Sequence, residues 1–135
     1  MKRSLVIGTV AIAAAFSSFA LAQTSAPQQE TATAQAHALM AATARSLATT
    51  HMHLHHVVNC LEGPQGRDFD AKAGNPCASM GHGALNDAGS DAALHKTLEQ
   101  ALTYARAGLK DSDPAAAKQA AQKAADELKA ARGGK

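Results

Sequence analysis

The chain has 135 residues, 46% hydrophobic by type but only 3% aromatic, with 13 Lys+Arg against 11 Asp+Glu. No Trp, one Tyr, three Phe and no long basic run exclude a nucleic-acid module built on phosphate contacts and base stacking. Leu, Ile, Val and Phe are scarce beyond residue 22 and Ala is abundant, which excludes a large apolar core and points to one small helical domain with a thin core.

Residues 1–22 have the pattern of a secretory signal. Lys2 and Arg3 precede an apolar run from Leu5 to Phe19, and Ala20-Leu21-Ala22 supplies small residues at a cleavage site before Gln23. The apolar run is short for a transmembrane span. The expected protein is therefore periplasmic or secreted, with no membrane insertion after cleavage. Removing Lys2 and Arg3 balances the remaining charges, so the sequence pI near 8.7 carries no message about partners.

Residues 23–30 are polar and contain Pro27, and are expected to form a flexible mature terminus. A single small helical domain is expected over 31–132. Its first helix is predicted from Thr31 to Leu61, where Met40, Leu47, Leu54 and Leu61 recur every seven residues. Gly63 and Pro64 end it. A long connection follows over 62–86, rich in Gly and Pro. The second helix is predicted to start near Asn86, Asp87 or Ser90 and to present Leu94, Leu98, Leu102 and Leu109. Gly108 weakens its end. Asp113 caps a third helix that opens on Pro114 and carries one large apolar residue, Leu128. The predicted fold is all-α: an antiparallel helical hairpin or small three-helix bundle with a tied loop. With no fourth helix evident, a homodimer would complete a larger bundle.

Cys60 and Cys77 are the only cysteines. In an exported chain such a pair reads as a disulfide, here tying the loop to the end of the first helix. The spacing matches neither CxxC redox chemistry nor CxxCH haem attachment. A thin core of this kind calls for such a staple.

The stretch His51-Met52-His53-Leu54-His55-His56 holds four of the seven histidines. Neutral imidazole is a ligand for Zn, Cu and Ni ions. At about 100° per residue, His51 and His55 stand one turn apart on one flank of the apolar stripe, with His53 and His56 on another face. His51 and His55 are therefore the expected central ligands, completed by His82 and His95, with His53 a further candidate and His56 directed outward. Met52 and Met80 as thioether ligands would favour copper. Two other readings compete: solvated histidines on an interaction module that binds another periplasmic protein, and a bis-His haem site. No nucleophile elbow or phosphate-binding loop is present, so enzymatic function is not expected.

The run Leu98-Glu99-Gln100-Ala101-Leu102-Thr103-Tyr104-Ala105-Arg106-Ala107-Gly108-Leu109, with Lys118 to Ala131 after it, resembles the periplasmic small metal-binding protein family. The resemblance covers the C-terminal third. It implies a short exported helical bundle that binds divalent metals such as copper. Within that segment only His95 can be carried over as a ligand, because the other histidines of this chain lie elsewhere.

Overall fold

Two local signals decide how the first half of the chain folds. Ser25 is extended and Pro27 lies in the first turn behind it, which starts α1 (Ala26–Thr43). Ala44 and Ser46 are extended too, and the Ser46 hydroxyl accepts a hydrogen bond from the Thr49 amide at 3.1 Å. That N-cap starts α2 (Leu47–Glu62). The single helix expected over Thr31 to Leu61 is therefore two helices joined by residues 44–46. Buried Thr50 closes the turn by donating to the carbonyls of Ala41 and Ser46.

This computed structural model describes residues 24–133, so the expected signal segment 1–22 lies outside the described residues. Residues expected to be a flexible terminus are instead helical from Ala26, and Glu30 is fully buried. A short helix α3 (Ala84–Asp87) follows the long connection, which runs over 63–83 rather than 62–86. Then come α4 (Ala92–Lys110), capped by the Asp91 carboxylate on the Leu94 amide, and α5 (Pro114–Gly133).

The long helices pack as a ring, α1 on α2, α2 on α4, α4 on α5 and α5 back on α1. Short turns at 44–46 and 111–113 make α1/α2 and α4/α5 antiparallel neighbours. The fourth helix is α1, so the bundle closes within one chain rather than stopping at a hairpin with a third helix. No described helix is long and apolar enough to cross a membrane.

Packing explains how so little large apolar side chain suffices. Leu54, Val57, Val58, Leu61, Leu98 and Leu128 are fully buried. Around them α1 contributes Ala34, Ala38 and Ala41, and α5 contributes Ala117, Ala121, Ala124 and Ala125. Small faces let the helices approach closely and recover dispersion contacts along the backbone. Gly108 shows the limit of that approach: a Cβ there would sit 2.7 Å from a Leu54 methyl. It is a contact point inside α4, not a weak end. Met40, expected in the apolar stripe, is exposed, because the stripe does not continue through the turn into α1.

The Cys60–Cys77 disulfide is present, with the two Cα atoms 5.2 Å apart. The ends of the 63–83 loop also cross. Gly63 has φ +68°, and a Cβ on it would lie 1.8 Å from the His82 carbonyl oxygen. Glu62 on α2 pairs with Arg106 on α4, and Arg106 Nε reaches Asp68 in the loop at 2.7 Å.

Candidate metal centre

Folding α1 back on α2 sets His37 against His53 and His56. The His37 and His53 Nδ1 atoms are 3.1 Å apart, and the His37 and His56 Nδ1 atoms 3.2 Å apart. All three residues are half-buried. Among the described residues this is the one group of three or more His, Cys, Asp or Glu whose donor atoms lie within 4.8 Å of one another. The rings are tilted or edge-on to each other, not stacked, with centroids 4.6–5.7 Å apart. Edge-on imidazoles can direct nitrogens at a common point.

Acceptor chemistry sets one proton. His56 Nε2 lies 2.7 Å from the Ala73 carbonyl oxygen, which can only accept. Nε2 therefore carries the hydrogen, and in the neutral ring Nδ1 holds a lone pair turned toward His37 and His53. A protonated ring is disfavoured at His37, whose pKa falls from 6.5 to about 4 through burial and then the neighbouring His56 and His53. His53 is lowered as well, by burial and then by His56. Depressed basicity keeps His37 and His53 neutral at neutral pH, the form that binds metal.

The donor set fits a transition ion. At Zn–N bonds of about 2.0–2.1 Å, nitrogens on a tetrahedral ion are about 3.3 Å apart. The two shorter separations here are close to that before any adjustment. Three imidazoles leave one coordination position for water or another ligand.

The histidines expected to form the site lie apart from this centre. His51 Nε2 meets the Asp111 carbonyl oxygen at 3.0 Å, capping the end of α4. His55 Nδ1 lies 3.7 Å from an Asp70 carboxylate oxygen in the loop. The His82 side chain is 88% exposed and faces Asp87 at 3.3 Å. His95 Nε2 meets the Gly89 carbonyl oxygen at 3.0 Å, within the turn that precedes α4. These four do not converge, since each is drawn to a different end or loop. Of the expected ligands, His53 belongs to the cluster. His56 belongs too, although it was expected to point outward: the solvent side of α2 in a lone hairpin is here covered by α1 and the loop. Met80 sulfur accepts from the Thr33 hydroxyl at 3.4 Å, and Met52 is exposed.

His37 is the residue that sequence reasoning missed. Treating 31–61 as one helix put it on the same flank as His55 and about four turns before His51. The signal for its real position was Ser46, followed three residues later by Thr49, an N-cap inside the supposed helix. Comparisons with family models, characterised proteins and solved structures returned no match.

Proposed function

We propose that this chain is an exported, non-enzymatic protein that binds or buffers a divalent transition metal, Zn²⁺ or Cu²⁺, through the Nδ1 atoms of His37, His53 and His56. The observation that carries the reading is the convergence of three Nδ1 atoms from two helices, two pairs of them at 3.1 and 3.2 Å, with no carboxylate or cation among them. The pattern of residues 1–22 and the disulfide support an oxidising destination. Ligation by imidazole alone suits Zn²⁺ or Cu²⁺ better than Ca²⁺ or Mg²⁺, which take oxygen ligands. Bis-His haem ligation is less well supported. It needs nitrogens on opposite faces of a porphyrin, and these lie within hydrogen-bond distance of one another.

Titration of the oxidised protein with Zn²⁺ and Cu²⁺ against a chromophoric competitor tests the reading. His37→Ala, His53→Ala and His56→Ala are each expected to weaken binding at least tenfold, by analogy with the loss of one ligand from a three-ligand site. His51→Ala, His82→Ala and His95→Ala are expected to titrate like wild type. Equal affinities across all six variants would overturn it.

A further inference from the structure

The loop that supplies the Ala73 carbonyl is anchored at two places on the helix that supplies His56. Asn59, fully buried, donates from Nδ2 to the carbonyl oxygens of Asp70 at 2.8 Å and Gly74 at 2.7 Å, and its Oδ1 accepts from the Asp70 amide at 2.8 Å. Cys60 holds Cys77 through the disulfide. Ala73 lies between the two Asn59 contacts. His56, Asn59 and Cys60 stand at i, i+3 and i+4, so one face of α2 carries a candidate ligand and both anchors.

We propose that Asn59 is a positioning residue of the metal centre, acting through the Ala73 carbonyl, and that the disulfide-bonded protein is its high-affinity form. The inference rests on the metal reading of His37, His53 and His56. The carbonyl at 2.7 Å selects the His56 tautomer whose Nδ1 is free to ligate and fixes the plane of its ring. Asn59 satisfies three loop backbone groups at once, which sets the position of residues 70–74. The disulfide limits how far the remainder of the loop can move away. With the loop slack, neutral His56 can take either tautomer and its ring can turn. Part of the binding energy is then spent on restoring the order that the loop otherwise supplies.

The test uses the full oxidised chain, Asn59→Ala and the double variant Cys60→Ser/Cys77→Ser, which contains no thiol to compete for metal. Competition titration with Zn²⁺ is expected to show affinity about 10–100-fold lower in both variants, the range for losing a partner that orients a ligating histidine. Two-bond ¹H–¹⁵N spectra of the metal-free imidazoles supply a readout that general loss of stability would not move. Wild-type His56 is expected to show a lone-pair Nδ1 and a protonated Nε2, and the variants a mixture of tautomers. If Asn59→Ala loses its helical circular dichroism, Asn59→Asp, which keeps the Oδ1 acceptor for the Asp70 amide and removes both donors to the loop carbonyls, takes its place in both measurements. Variant affinities within twofold of wild type, with the His56 spectrum unchanged, would overturn the positioning role and leave the metal reading standing. If oxidised wild type takes up no Zn²⁺, the metal reading fails and this inference with it.

Discussion

Glu30→Gln is expected to stabilise the protein at alkaline pH and to leave it unchanged at acid pH. Glu30 is fully buried on α1, and its Oε1 accepts from the Gly83 amide at 2.9 Å. Its other oxygen, Oε2, has no hydrogen-bond partner, and the Asp87 carboxylate is a neighbouring negative charge. Burial raises its pKa from 4.5 to about 7; the Gly83 amide opposes that shift, and the Asp87 carboxylate adds to it. The folded state therefore holds a proton that the unfolded chain releases between pH 4.5 and about 7. This contribution is fully present below pH 4.5 and is lost as pH rises through about 7. The span corresponds to at most about 3 kcal/mol. A glutamine amide copies the protonated acid, with its oxygen on the Gly83 amide and its NH₂ toward Asp87. At pH 8.5, Glu30→Gln should gain up to about 3 kcal/mol, which for a domain of this size is roughly 10 °C in Tm. Thermal and urea unfolding of both proteins from pH 4 to pH 8.5 measures the difference, in which titration of the histidines cancels. Parallel profiles for the two proteins would refute a protonated Glu30.

Further outcomes follow from the same packing and electrostatics. In the metal-free protein, His37 is expected to titrate by NMR with a midpoint near 4; because its folded pKa lies below 6.5, its contribution to stability is present above pH 6.5 and is lost as pH falls toward 4. Gly63→Ala places a Cβ against the His82 carbonyl at a backbone angle that other residues rarely adopt, and should cost about 3 kcal/mol or more in urea unfolding. Leu128→Ala removes the one large apolar side chain that α5 buries fully, and should cost about 2–5 kcal/mol in the same assay.

Helical content, the disulfide and the core residues Leu54, Leu98, Leu102 and Leu128 were legible from spacing and composition, whereas the cap of α4 is Asp91 and not the expected Asn86, Asp87 or Ser90. Heptad spacing, however, reports only which residues share a face of one helix. It cannot show that Met40 and Leu47 lie on different helices, because an Ala-rich segment has no apolar contrast to mark a change of direction. α1 illustrates this: its buried face is alanine, and it also buries Glu30 and Thr31. The candidate site was legible as a histidine cluster and not as the particular three residues that meet. His51 and His55 satisfy the i, i+4 rule, but His51 meets the Asp111 carbonyl at the end of α4 and His55 faces the Asp70 carboxylate in the loop. His37 and His56 become neighbours only through the turn at 44–46, a tertiary fact that depends on one serine cap.

That three-residue turn also bears on the order of assembly. The candidate ligands span residues 37 to 56 and are joined by a local helical hairpin, so they can meet on the fast timescale of short-range contacts. Closing the loop and oxidising Cys60 and Cys77 takes seconds to hours, depending on the oxidant. A newly folded molecule therefore passes through a period in which its three imidazoles already face one another while the bond that braces the loop is still open. Under the proposed metal-binding function, an ion present during that period meets the nitrogens before the covalent brace, and its dissociation should slow as the sulfur–sulfur bond forms.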